Sequence, residues 1–238
     1  MQAARTPRWT RRPEERPQEL LDAALEVFST NGYRATRLEQ VAEAAGVTKG
    51  SIYYYFSTKE ELLTQALESR IGTIFSGIEA ESHRPAATAV DRLRTVLRAA
   101  WTRWRMPETA RMHRLIMGEL RTELPDLFDA AMRAGPMHVW RLVGEVLRDG
   151  QRNGEFGTHF DAGSAARFLV SGLMHQALLQ TDLHERGLDA TPPERISDAG
   201  LDVLLHGILP QPEGTLEPKG TPGEAAPVTR RRRSPKRP

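Results

Sequence analysis

"AGVTKGSIYYYFSTKEELL", Ala45 to Leu63, decides how the chain is read. It places Tyr53, Tyr54 and Tyr55 in a row between Ile52 and Phe56. Residues four apart share one face of a helix, so Ile52 and Phe56 can both point into a core. The three rings between them fan over the remaining arc. At least two should face solvent, and neighbouring exposed aromatics mark a contact surface.

Upstream, Leu21, Ala24, Leu25 and Phe28 recur at helical spacing, and Asn31-Gly32 stops that helix. Thr36 to Glu39 reads as a capping box opening a second helix. That helix buries Leu38, Val41, Ala42 and Ala45 and ends at Gly46. Thr48 caps a third, short helix that ends near Phe56. Ser57 to Glu60 reads as a second capping box, starting a helix through about Ser76. Three helices with a tight glycine turn between the second and third predict a helix-turn-helix.

Downstream the pattern is larger helices with no convincing strand. Leu93, Val96, Leu97, Ala100, Trp101 and Trp104 form one stripe, closed by Pro107. Met112, Leu115, Ile116 and Leu120 form another. Leu124 to about Asn153 reads as helix broken at Gly135-Pro136, because proline lacks the donor and clashes one turn back. Asp161 caps a helix carrying Ala165, Phe168, Leu169 and Gly172, and Pro192-Pro193 opens a last one through Leu209. The predicted fold is all-α. A basic arm over 1–16 and a basic tail over 211–238 are expected to be disordered. A helix-turn-helix domain spans 17–63 and a larger helical domain spans 64–210.

Charge follows that division. Five arginines against two glutamates in 1–16, and seven basic against three acidic residues in 211–238, leave the middle with 21 basic and 26 acidic residues. Bulk basicity therefore carries no argument for nucleic acid; particular residues must. The chain has no cysteine, which excludes disulfides, thiol redox chemistry and cysteine zinc sites. The seven histidines show no paired ligand spacing, so no metal and no cofactor is expected. No stretch is long and apolar enough to span a bilayer, and no apolar segment follows the N-terminal arginines. A cytoplasmic protein without a membrane partner is the expectation.

The residues ahead of the tyrosines suit DNA. Thr48, Lys49, Gly50 and Ser51 form a helix N-terminus, whose free N–H groups favour an anion. Gly50 permits close approach. Lys49 can reach a guanine edge, and Thr48 and Ser51 can reach bases or phosphates. Tyrosine packs on sugars and thymine methyls and donates its hydroxyl to phosphate. Lys59 starts the next helix beside a phosphate position, and Thr36 and Arg37 sit at another helix start. Arg5, Arg8, Arg11 and Arg12 suit an arm entering a minor groove.

The segment "ELLDAALEVFSTNGYRATRLEQVAEAAGVTKGSIYYYFSTKEELLTQAL", residues 19–67, resembles the TetR family of bacterial transcriptional regulators. The resemblance rests on Phe28, Gly32-Tyr33, Thr36, Val41-Ala42, Ala45-Gly46-Val47, Thr48-Lys49-Gly50, Tyr53 to Phe56, Lys59-Glu60 and Leu62. It implies homodimers that bind palindromic double-stranded DNA operators and usually repress, and that release DNA when a small effector binds the second domain. By position it implies that Thr48, Lys49, Gly50 and Ser51 face bases, and that Tyr53, Tyr54 and Lys59 hold phosphates, with Tyr55 beside them. Arg37 stands where the family often has a small hydroxyl residue.

The resemblance also puts an effector pocket among the middle helices. Trp101, Trp104, Met112, Ile116, Met137, Trp140, Phe168 and His175 are its candidates, an aromatic and methionine lining for an apolar ligand. Residues of these types at helical spacing are more often plain core. Dimerisation is implied through the last two helices, with Gly172, Ala177, Leu201, Leu204 and Leu205 as interface members or intrachain packing. No serine-histidine-aspartate grouping, phosphate loop or acid pair supports an enzyme. A nonspecific nucleic-acid-binding module or a plain small-molecule binder is the alternative, and the acidic middle argues against the former.

Overall fold

The computed structural model describes residues 16–189 and 191–209. The arm and tail expected to be disordered lie outside the described residues, except that Arg16 opens the first helix. Among the described residues there are helices and no strand.

Helices α1 (Arg16–Asn31), α2 (Leu38–Ala44) and α3 (Lys49–Tyr55) form the N-terminal head. Leu20, Ala24, Leu25 and Phe28 line the inner face of α1 and meet Leu38, Val41, Ala42, Ile52 and Phe56, all buried. Helix α2 ends in a left-handed glycine, Gly46 at φ +65°. The Val47 N–H returns to the Ala42 carbonyl at 2.9 Å and the Gly46 N–H to Glu43 at 3.1 Å. That closure satisfies two orphan carbonyls and sets the angle at which α3 leaves α2.

The caps of α2 and α4 fall one residue later than the sequence reading placed them. Arg37, not Thr36, is the N-cap of α2, and its backbone N–H donates to the Gln40 side chain at 2.8 Å. Thr36 is turned inward, 2% exposed, and its hydroxyl donates to the Gly32 carbonyl at 2.7 Å. The loop folds back over α1, and a buried hydroxyl must find a partner there. Helix α4 (Lys59–Ser82) is capped by Thr58, which accepts from the Glu61 N–H at 3.0 Å. It runs past Ser76 because Ile74, Phe75 and Ile78 prolong its buried face. This helix also crosses the division expected at residue 63, so the head is joined to the rest by a continuous rod.

The second region comprises α5 (Ala89–Trp104), α6 (Pro107–Leu115), a π-turn over Ile116–Leu120, and α7 (Arg121–Glu123). It continues with α8 (Pro125–Ala134), α9 (Pro136–Arg152), α10 (Ala162–Glu185) and α11 (Pro193–Ile208). The α5 stripe is buried throughout, as is the stripe of Met112, Leu115, Ile116 and Leu120. The expected break falls at Gly135-Pro136, and Asp161 caps α10 by accepting from the Ser164 N–H at 2.7 Å.

Helix α11 lies antiparallel on α5. Three ion pairs keep that register: Arg94–Asp202 at 3.4 Å, Arg98–Asp198 at 2.9 Å and Arg105–Glu194 at 2.8 Å. Half-exposed pairs contribute at most about 1 kcal/mol each. The buried Leu201, Leu205 and Ile208 hold the helix and the ion pairs align it. Ala177, Leu201 and Leu205 are thus spent within the chain. Of the residues considered for an interface, only Gly172 and Leu204 border open space.

Candidate nucleic-acid interface

Helix α3 owes its exposure to its shortness. Seven residues carry one buried side chain, Ile52, with Phe56 just past the C-terminus. Everything else faces outward. Tyr53 is 50% exposed, Tyr54 82% and Tyr55 36%. The Tyr54 and Tyr55 rings meet edge to face at 4.9 Å, which orders both without covering either. The sequence reading expected at least two of the rings to face solvent, and all three do.

At the other end of α3, the Thr48 hydroxyl accepts from the Ser51 N–H at 3.2 Å and lies 3.0 Å from the Ser51 hydroxyl. The Lys49 ammonium donates to Glu39 of α2 at 2.5 Å and sits 5.7 Å from the Tyr53 ring centre. That hydrogen bond lowers the Glu39 carboxyl below its ordinary value and raises the Lys49 ammonium above its own. Glu39 is read from the sequence only as the acid of a capping box, not as the partner of Lys49. It was missed because the pairing depends on the α2–α3 angle rather than on spacing along one helix. In the free protein Glu39 neutralises the cation best placed for DNA, so Glu39→Gln should raise affinity for any duplex by about two- to fivefold. Titration at fixed salt checks this; an unchanged constant would mean that Lys49 leaves the pair freely.

Lys59 also has partners within the chain. Its ammonium donates to the Tyr33 carbonyl at 2.9 Å and the Thr36 carbonyl at 3.2 Å, and lies 4.3 Å from the Tyr33 ring centre. One donor of three remains for a phosphate. Lys59 is a brace for the α1–α2 loop, and Lys59→Met should lower unfolding free energy by on the order of 1–2 kcal/mol in urea titrations. Arg37 is exposed beside the start of α2, whereas Thr36 offers no hydroxyl to the surface.

Among the described residues of the second region lie a small apolar cavity and an open apolar groove. A cavity of about 40 Å³ is bounded by Ile71, Phe75, Trp104, Met112, Ile116 and Met174 among others. Of the residues expected to line a pocket, Trp104, Met112 and Ile116 do so. Met137, Phe168 and His175 are exposed instead, on the outer arcs of α9 and α10. Trp140 is half-buried under the Arg167 guanidinium, 5.7 Å from its ring centre. Trp101 and Phe168 border the other concavity, an open apolar groove of about 410 Å³ between α10 and α11. His113 and Thr109, not anticipated as pocket residues, line the smaller cavity.

Head and cavity are in contact. The π-turn begins at Ile116, which lines the cavity together with Met112 and His113 of the helix before it. From its far side Glu119 accepts the Arg34 backbone N–H at 3.1 Å, and Glu123 pairs with the Arg34 guanidinium at 2.8 Å. Both acids thus grip the α1–α2 loop that Lys59 braces from below. Glu119→Ala should speed hydrogen exchange at the Arg34 amide by about tenfold or more, since local opening then costs one protected bond less. An unchanged rate would mean that the contact carries no protection.

Residues 20–66 match the model for bacterial regulatory proteins of the tetR family, and residues 91–205 match the model for the C-terminal domain of AefR-like transcriptional repressors. The fatty acid metabolism regulator protein of Bacillus subtilis is 24% identical over 198 residues, covering 82% of this chain and 97% of that protein. The regulator RutR of Escherichia coli K12 is 29% identical over 167 residues, 62% of this chain and 77% of that one. The solved structure of FadR from Bacillus subtilis in complex with stearoyl-CoA superposes with a TM-score of 0.65 at 23% identity, over 80% of this chain and 98% of that chain. The two matched domains, in the order and fold described, make this chain a member of the TetR family of DNA-binding transcriptional regulators.

Proposed function

We propose that the protein is a homodimeric repressor that grips a palindromic operator through α3 and lets go when a small, largely apolar effector enters the cavity beside α6. The observation that carries the DNA half is the outward array of Tyr53, Tyr54 and Tyr55 behind the Thr48–Ser51 helix start. Lys49, Gly50 and Ser51 approach bases; the tyrosines and Arg37 take phosphates and sugars. Thr48 adds base contact to its capping role, and the free donor of Lys59 takes a phosphate. The protein acts in the cytoplasm, where its operator is.

The groove between α10 and α11 supports the dimer. Phe168 is 77% exposed and Val203 73%, on a face with no charged residue along its border. A second copy of the same face, related by a two-fold axis, covers both at once. Two heads then meet successive major grooves about 34–36 Å apart. An effector that prefers another head spacing weakens both contacts by its difference in affinity for the two states. The path supporting this runs from Met112 and Ile116 through the π-turn to Glu119 and Arg34.

Selection of bound duplexes from a randomised pool tests the operator reading. The expected consensus is an inverted repeat whose half-sites lie about one helical turn, or a multiple, apart. A single unrepeated half-site or no consensus contradicts it. Gly50→Ala adds a second check. A Cβ there meets only the Thr48 hydroxyl at 3.8 Å, so the fold should be unharmed or stabilised by about 0.5–1 kcal/mol. Affinity for the selected operator should nevertheless fall by about tenfold or more, because the methyl group stands where the backbone approaches the groove. Unchanged affinity would mean that Gly50 does not approach DNA.

A further inference from the structure

The outward end of α3 carries an acid as well as a base. Lys49 is the first residue of α3 and Glu39 the second of α2. The Glu39 carboxylate accepts from the Lys49 ammonium at 2.5 Å, with the lysine side chain 47% exposed and the glutamate 57%. The Tyr53 ring centre lies 5.7 Å from the same ammonium. Lys49 is thus held from two sides before any DNA arrives, which lowers the cost of ordering it there.

For affinity alone the acid is a liability. A carboxylate beside phosphates is repelled, and it neutralises the cation that leads α3. Its place in the first turn of α2 favours the helix start, but an acid turned away from Lys49 would do that as well. What Glu39 adds is an acceptor, which no basic side chain can supply. The hydrogen bond from Lys49, with Arg37 nearby, lowers its carboxyl below the ordinary value and keeps it ionised at physiological pH. Carboxylate and ammonium side by side then form a fixed acceptor–donor pattern.

One edge of a base pair carries the complement. In the major groove guanine shows the O6 and N7 acceptors and cytosine the N4–H donor. O6 and N4 lie about 2.9 Å apart, because they hydrogen-bond to each other. Lys49 gives one of its three donors to Glu39 and keeps two, which matches O6 and N7. Adenine·thymine offers one acceptor on the thymine side with a methyl group beside it, so one lysine donor goes unmet.

We infer that Glu39 and Lys49 act as one unit that reads a single guanine·cytosine pair in fixed orientation, Lys49 donating to guanine and Glu39 accepting from the cytosine amino group. The inference rests on α3 entering the major groove and adds Glu39 as a specificity-determining residue. Reversing the pair sets the carboxylate against guanine oxygen and the ammonium against an amino group, so repulsion enforces the orientation as well as attraction.

Selection from a randomised pool by the native full-length protein and by Glu39→Ala, side by side, should return the same half-site except at one guanine·cytosine pair, where the variant's preference is weaker. Glu39→Gln keeps an accepting oxygen and is not the variant for this purpose. Two modified duplexes built on the native consensus then probe that pair by anisotropy. N4-methylcytosine still pairs but has lost its groove-facing N–H. It should weaken the native protein by about tenfold and Glu39→Ala by less than about twofold. 7-Deazaguanine at the same pair should weaken both proteins, since each retains Lys49. Native protein that binds the N4-methylcytosine duplex as well as the plain one would overturn the inference and leave Glu39 as a tether for Lys49. An unchanged consensus in Glu39→Ala would overturn it too, as would a 7-deazaguanine effect confined to a different base pair. Each of these three results leaves the operator reading in place. A native selection without any consensus would remove the operator reading and the inference together.

Discussion

Phe168→Asp should convert the protein to a monomer. In the single chain Phe168 is 77% exposed, so its replacement disturbs no packing and the helical signal and melting point should hold. In the proposed dimer the side chain is buried, and the two-fold axis buries two carboxylates for each substitution made. An unpaired buried charge costs several kcal/mol, enough to dissolve an interface of ordinary size. Light scattering after gel filtration should give about 26.7 kDa rather than twice that value. Operator affinity should fall by about a hundredfold or more, because one head alone must then carry the cost of association. A variant that remains dimeric would move the interface away from the α10–α11 groove. A monomer that still binds the operator at full strength would show that the two heads do not act together.

The second large effect concerns the rings of α3. Replacing Tyr53 and Tyr54 together by alanine should lower affinity by about a hundredfold, on the scale of one to three kcal/mol for each good contact to DNA. Stability should change little, since exposed positions away from caps and buried networks usually lie within about 0.5 kcal/mol of neutral. The ring contacts removed are the edge contact of Tyr54 with Tyr55 at 4.9 Å and the Lys49 ammonium 5.7 Å from the Tyr53 ring centre, both at the surface. Loss measured equally on operator and scrambled duplexes would assign both rings to phosphates and sugars. A selective loss on the operator would assign at least one of them to base methyls.

The head was legible because its logic is local. Ile52 and Phe56 are one turn apart, and their burial forces Tyr53, Tyr54 and Tyr55 outward whatever else the chain does. Gly46 and the Thr48 cap likewise follow from neighbours within six residues. The misplaced cap at Thr36 marks the limit of that logic. A threonine before a helix satisfies the capping pattern, but the loop turns its hydroxyl to Gly32, and Arg37 takes the boundary. The cavity was read only in part because an apolar stripe looks the same whether it meets another helix or a void. Met112 and Ile116 belong to the void, while Met137 and Phe168, equally apolar, lie outside. The grip of Glu119 on the Arg34 amide joins positions 85 apart in sequence, beyond the reach of any periodicity. The π-turn that aims it has no compositional mark.

Fluorescence anisotropy of the full-length protein on the DNA upstream of its own gene, beside a scrambled duplex at the same salt, bears most directly on the regulator's specificity. The expected result is a preference of about a thousandfold or more for the upstream DNA, the margin typical of specific over nonspecific binding. Equal binding to both duplexes, falling steeply and equally with salt, would contradict specific operator recognition at that site and return the basic arms of the chain as the source of its affinity.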